Sequence, residues 1–121
     1  MAKSIQQIAQ QLVEYCRNGQ YDKAYDNLYD PDCTSIEPDD SHWSIADGMG
    51  AVKKKRHQWT DSLLEFHEQE ISDPICAEGY FTCTMKYDAT FKDKGRQQLN
   101  QVCVYKVENE KITEERFFYP S

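Results

Sequence analysis

The sequence predicts an α+β domain whose helices pack on one face of a long, curved antiparallel sheet. Two observations carry the prediction. Apolar residues recur at helical spacing through most of the first half of the chain. The last forty-odd residues, Gly79 to Tyr119, then read as three consecutive strands joined by tight turns. A twisted meander of that length wraps against helices and leaves a hollow, so the functional site is expected in a pocket rather than in a catalytic motif.

The elements follow in order. Ser4-Ile5-Gln6-Gln7 matches a capping box, with Ser4 as N-cap and Gln7 reaching back to it. Ile5, Ile8, Ala9, Leu12, Val13 and Cys16 then form one apolar stripe, and Asn18-Gly19 ends the helix. Tyr21, Ala24, Tyr25 and Leu28 make a second, shorter stripe, stopped by Asp30-Pro31. Cys33–Glu37 reads as a short strand and Pro38-Asp39-Asp40-Ser41 as a polar loop. From Asp47 to Asp61 the pattern is helical again, with Met49, Val52, Arg56 and Trp59 along one side and Lys53–Lys55 partly facing water. Leu63–Ile71 is a strand, broken at Asp73-Pro74. The meander closes the chain: Phe81–Phe91, a turn at Asp93-Lys94-Gly95, Gln97–Val107, a turn at Asn109-Glu110, and Ile112–Tyr119. The order is helix, helix, strand, helix and four strands in one domain, residues 1–121.

Pairing Lys92 with Arg96 places Tyr87 opposite Gln101, Met85 opposite Cys103, Cys83 opposite Tyr105 and Phe81 opposite Val107. These odd positions form an apolar face with one polar pair. The even positions are mostly polar, but Val102 and Val104 interrupt them, which suggests a covered patch such as a dimer interface.

Composition narrows the function. The 121 residues carry a formal net charge of −7, which disfavours binding to nucleic-acid phosphates. The basic run Lys53-Lys54-Lys55-Arg56 reads as the wet face and C-terminal end of a helix. Five cysteines without C-x-x-C spacing signal neither a disulfide framework nor a zinc site, and a reducing cytoplasm fits them best. No apolar run approaches the roughly 18 residues of a membrane span, and the N-terminus lacks the hydrophobic centre of a signal peptide. No Gly-rich phosphate loop, nucleophile elbow or His-x-x-x-His pair is present, so no metal or organic cofactor is expected.

Several fragments carry a family resemblance. Val104 to Ile112, running on to Glu115-Arg116-Phe117-Phe118-Tyr119, resembles the C-terminal signature of SnoaL-like proteins of the nuclear transport factor 2-like superfamily. Leu28 to Glu37, Gly48-Met49 before a helix ending His57-Gln58-Trp59, and Met85 to Thr90 are similar as well. Two departures stand out: Asn109-Glu110 where Asp-Gly is usual, and Gln101 where close relatives often carry Glu. The resemblance implies a cystatin-like cone, with three N-terminal helices packed on a strongly curved mixed or antiparallel sheet. It also implies a pocket between the concave sheet face and the helices. Members of that superfamily include cyclases, isomerases, dehydratases and epoxide hydrolases, and also association domains, so the fold alone does not choose among them.

Candidate wall residues are Tyr25, Trp43, Trp59, Phe81, Met85, Tyr87, Tyr105 and Phe118. A carboxylate walled by aromatics loses hydration, its pKa rises, and it can take a proton from carbon beside a carbonyl while a Tyr hydroxyl stabilises the enolate. Glu37 or Glu115 is the expected base and Tyr87 the donor, with His57, Asp88 and Gln101 as further polar contacts for a ligand. A strict two-residue turn at Asn109-Glu110 directs Glu114 into the pocket, whereas a bulge directs Glu115 there; the resemblance favours Glu115. For Asp88 the register gives an outward position. The expected function is binding of a small apolar molecule, with cofactor-independent isomerisation, cyclisation or dehydration as the enzymatic form. A non-catalytic dimeric binding or association module is the alternative.

Overall fold

The computed structural model describes residues 3–39 and 42–120. Its elements are α1 (Ile5–Arg17), α2 (Tyr21–Leu28), β1 (Tyr29–Asp39), β2 (His42–Asp47), α3 (Met49–Asp61), β3 (Leu63–Ile71), β4 (Ile75–Cys76), β5 (Tyr80–Phe91), β6 (Gly95–Glu108) and β7 (Lys111–Phe118). They form the expected α+β architecture, three helices on one curved mixed sheet of strand order β2-β1-β7-β6-β5-β3, with β4 attached to β5. All neighbours run antiparallel except β1 and β7, which are parallel.

The capping box starts α1: Gln7 N donates to Ser4 Oγ at 3.2 Å and Ser4 N to Gln7 Oε1 at 2.8 Å. The stripe Ile8, Ala9, Leu12, Val13 and Cys16 is fully buried against the sheet, and Gly19 turns the chain at φ 69°. Arg17 fixes the helix end by donating to the Ile71 carbonyl at 2.7 Å and to Asp73 at 3.0 Å. Beneath α1 and α2 the inner sheet face contributes Phe81, Cys83, Cys103, Tyr105 and Ile112, all buried.

Several expected boundaries move. The strand expected at Cys33–Glu37 spans Tyr29–Asp39, so Pro38 and Asp39 belong to it; Asp40 and Ser41 of the expected loop lie outside the described residues. β2 and β4 are additional strands. Asp47 closes β2, and α3 starts only at Met49, after Gly48 at φ 90°.

The register of β5 with β6 differs from expectation by one pair. Phe91, not Lys92, is the last residue paired across the turn, and its partner is Gly95. Lys92-Asp93-Lys94 form a three-residue loop closed by Gly95 at φ 76°, the left-handed residue such a loop requires. Partners therefore shift by two residues, which leaves every side chain on its expected face. Met85 opposes Gln101, Cys83 opposes Cys103 and Phe81 opposes Tyr105, while Tyr87 opposes Leu99.

The β6–β7 hairpin holds the feature that positions the site. Glu108 pairs with Lys111 and Val107 with Ile112, but Lys106 pairs with Glu114 and Tyr105 with Glu115. Thr113 is thus an extra residue, and the bulge turns Glu115 to the inner face. At the tip, Asn109 and Glu110 have φ 50° and 65°, a two-residue turn with both residues left-handed. Glutamate is costly there, so Glu110→Gly is expected to raise stability by about 1 kcal/mol and the melting temperature by roughly 3–6 °C. A fall in melting temperature would contradict the turn geometry.

Candidate functional site

A cavity of about 400 Å³ opens between the inner sheet face and the helices. α1 and α2 supply Leu12, Cys16, Tyr21 and Tyr25; α3 supplies Lys55, Arg56 and Trp59; the sheet supplies Tyr29, Glu37, Met85, Tyr87, Gln101, Tyr105, Glu115 and Phe117.

At its floor lies Glu115, 3% exposed. Both carboxylate oxygens accept hydroxyl hydrogens: Oε1 from the Tyr29 hydroxyl, and Oε2 from Ser35 Oγ at 2.6 Å. Strand pairing explains this, because Ser35 stands beside Glu115 across β1 and β7, and Tyr29 beside Ile112 on the same edge. Lys55 Nζ in turn donates to Ser35 Oγ and pairs with Glu37 Oε2 at 3.0 Å, while the Tyr119 hydroxyl donates to Glu37 Oε1 at 3.1 Å. A continuous polar chain thus runs Glu115–Ser35–Lys55–Glu37–Tyr119. Lys55 compensates Glu37 directly and Glu115 only through Ser35. Among the described residues the two direct partners of Glu115 are uncharged hydroxyls, which satisfy its acceptors without neutralising its charge.

A second polar group sits between α3 and β5. Gln101 Nε2 donates to the Tyr87 hydroxyl at 3.2 Å, a diagonal contact across the strand pair. That hydroxyl donates to Met85 Sδ at 3.4 Å. Trp59 closes the wall with ring centroids 5.4 Å from Tyr87 and 5.9 Å from Phe91. Arg56 lies over the Tyr21 ring at 3.5 Å and the Trp59 ring at 4.6 Å. Its Nε is enclosed without a hydrogen-bond partner, an omission that costs about 1–3 kcal/mol.

Of the residues expected at the site, Glu37, Glu115, Tyr87, Trp59, Met85 and Gln101 line this one cavity. Four others lie elsewhere. Trp43 and Phe118 are on the outer sheet face, 42% and 41% exposed, with ring centroids 5.5 Å apart. Phe118 is two strand positions from Arg116 and so shares its outward face once the bulge is counted. His57 is exposed on α3 and pairs with Asp22 at 3.1 Å. Asp88 faces outward, where the Arg96 guanidinium at 2.8 Å holds its carboxyl below the usual carboxylate range. Phe81 packs in the core, stacked on Tyr105 at 4.7 Å, rather than in the cavity wall. Sequence reasoning missed Tyr29, Ser35, Lys55 and Tyr119. Ser35 shares a strand face with Glu37 two residues on, a readable signal, but Lys55 sits in a run that reads as solvated. Lys55 and Arg56 are instead half-buried at the cavity, and only Lys54 of the run is fully exposed.

The buried hydroxyls and thiols set an alkaline limit. Burial raises Tyr29 well above its usual 10.0, with the Glu115 charge adding to the effect; burial likewise raises Tyr87 and Tyr105. Cys16 is pushed by burial from 9.0 up to about 12. Each is protonated in the fold and ionises at lower pH in the unfolded chain. Stability is therefore complete below about pH 9 and declines as the pH climbs toward the folded-state values. Cys16 alone is expected to remove about 2–3 kcal/mol by pH 11. Thermal melts from pH 8 to 11 check this, and an unchanged midpoint would contradict the burial.

Among the described residues no three His, Cys, Asp or Glu side chains converge to hold a metal, and no helix is long and apolar enough to cross a membrane.

Comparison with known proteins places this geometry. The model of the SnoaL-like domain matches residues 3–119. A solved SnoaL-like polyketide-cyclase candidate from Mesorhizobium loti is 30% identical, covers 97% of this chain and 100% of its own, and superposes with a TM-score of 0.89. A cystatin-like-fold protein of unknown function from Xanthomonas campestris is 16% identical over 94% of this chain and 88% of its own, at 0.78. A protein with a ketosteroid isomerase-like fold from Catenulispora acidiphila, solved in complex with trimethylamine, is 18% identical over 93% of this chain and 84% of its own, at 0.69. Among curated proteins none matches the chain. A family model spanning nearly every residue, and a 30% identical structure aligned along its whole length, make this chain a member of the SnoaL-like domain family, with a cystatin-like fold.

Proposed function

We propose that this protein binds a small, largely apolar carbonyl compound and performs cofactor-independent acid–base chemistry on it, of the isomerisation, cyclisation or dehydration type. The observation that carries this reading is Glu115: a buried carboxylate at the floor of an aromatic cavity, oriented by two hydroxyls and touching no cation directly among the described residues. Such a group is positioned to remove a proton from carbon next to a carbonyl. Tyr87, kept protonated by burial, and Gln101 offer hydrogen bonds to the carbonyl oxygen. Glu37, expected as the alternative base, is already engaged by Lys55 and Tyr119, and this favours Glu115. The Catenulispora neighbour, held with a small organic molecule, is consistent with a ligand pocket in this fold.

A thermal-shift screen of hydrophobic carbonyl metabolites tests the reading. A ligand at a hundred times its Kd stabilises the native state by about 2.7 kcal/mol, a shift of several degrees. Tyr87→Phe and Gln101→Leu are expected to reduce that shift at unchanged ligand-free stability. A screen without shifts, or hits indifferent to both variants, argues against this pocket.

The outer sheet face supports a second reading, a homodimeric binding or association module. Trp43, Ile45, Val102 and Phe118 expose apolar surface there, with Val104 half-buried among them. Charges of both signs, Glu114, Arg116 and Lys106, share the face and suit a self-complementary contact with a second copy. Sedimentation equilibrium is expected to return a dimer, and Val102→Glu a monomer. A monomeric wild type removes the dimer proposal and leaves the pocket reading intact. Residence in the cytoplasm is part of the same proposal and suits five free thiols.

A further inference from the structure

We propose that the ligand of this cavity carries a carboxylate and that Arg56 receives it. The inference rests on the pocket reading above and names the class of compound the pocket takes.

Arg56 is a cation of the cavity wall that has no carboxylate partner among the described residues. Lys55, its neighbour, is neutralised by Glu37 at 3.0 Å. Asp22, an acid on the facing helix α2, is taken by His57. No described carboxylate pairs with the Arg56 guanidinium, and its Nε has no hydrogen-bond partner. Its close neighbours are neutral: the rings of Tyr21 and Trp59, and the Tyr87 hydroxyl, which burial keeps protonated. Burying a cation without a counter-ion is unfavourable, and protein interiors normally supply one. Ring contacts engage the π face of a guanidinium and hold its plane still, and the hydrogen-bonding partners of Arg56 are the neutral Tyr21 and Tyr87 hydroxyls, which leave its charge unpaired and its Nε without an acceptor. A fixed fork of N–H donors at a cavity wall is the partner a planar carboxylate matches in two parallel hydrogen bonds.

The arrangement also sets the ligand's direction. Glu115 repels an anion from the floor, and Arg56 attracts it to the α3 side. The compound therefore lies with its carboxylate at Arg56 and its enolisable carbon toward Glu115, its apolar body against Tyr25, Met85 and Trp59.

Isothermal titration with a matched pair of probes, a naphthalene carboxylate and the corresponding carboxamide, tests this. The wild type is expected to bind the carboxylate at least about ten-fold more tightly than the carboxamide. Arg56→Gln is expected to lose that preference while retaining the carboxamide affinity, and Arg56→Lys to recover part of it, with circular dichroism confirming that both variants fold. Equal or tighter binding of the carboxamide by the wild type overturns the carboxylate inference and leaves the pocket reading standing. A preference that survives Arg56→Gln overturns the assignment to Arg56. Absence of binding by both probes, and by every compound of the metabolite screen, removes the pocket reading and this inference together.

Discussion

Truncation of Tyr105 to alanine is expected to lower the unfolding free energy by about 3–5 kcal/mol, the largest loss for a single core position. Tyr105 is the bulkiest of the fully buried side chains and stacks on Phe81 with an interplanar angle of 16°. It also stands opposite Glu115 in the β6–β7 pairing, so its removal opens the core and the cavity floor at once. A domain of this size has about 5–15 kcal/mol in total, which leaves the variant marginal at 37 °C. Tyr105→Phe keeps the ring and is expected to lose no more than about 1–2 kcal/mol. Urea unfolding of both variants decides the matter. A loss below about 1 kcal/mol for Tyr105→Ala would show that the sheet face is not packed as described.

Replacement of Glu115 by glutamine is expected to lower turnover by about 10²–10⁴, the range of a lost general base, while the cavity still binds its ligand within a few-fold. The amide has nearly the shape of the carboxylate, but its NH₂ faces a hydroxyl that now donates. That mismatch is expected to cost about 1–3 kcal/mol of stability. Tyr29→Phe separates the contributions, because it removes one of the two hydroxyls that orient Glu115 and leaves the carboxylate in place. Its turnover is expected to fall far less than that of Glu115→Gln. Equal losses in the two variants would make Tyr29 a participant rather than an orienting group.

The fold was legible where local rules act alone. The Ser4 capping box, the α1 stripe and the strand limits Leu63–Ile71 all follow from short-range spacing, and the structure has them as expected. β2 was missed although Trp43, Ser44, Ile45 and Ala46 alternate. As an edge strand it turns its large residues outward, so it lacks the buried face that makes alternation conspicuous. The β5–β6 register slipped by one pair because the positive φ of Gly95, and not the polar run Asp93-Lys94, decides where pairing resumes. The site was legible in part. Glu115 turns inward only through the bulge at Thr113, which counting from the Asn109-Glu110 turn does not reveal. Lys55 reads as partly solvated because a basic run seldom faces a cavity, whereas the helical spacing sets Arg56 on the side of Met49, Val52 and Trp59. The i, i+4 relation of Arg56 to Val52, which is fully buried, carries Arg56 to the cavity, and Lys55 stands three residues from Val52 at the edge of the same side.

The proposed chemistry depends on Glu115 as a proton acceptor within an apolar cavity. The most direct measurement is deuterium incorporation, followed by proton NMR in D₂O, at the carbon beside the carbonyl of bicyclic ketones that stabilise the protein in the thermal screen. The wild type is expected to accelerate exchange by about 10²-fold or more over Glu115→Gln. Identical exchange rates for the two proteins, with ligand bound to both, would contradict it.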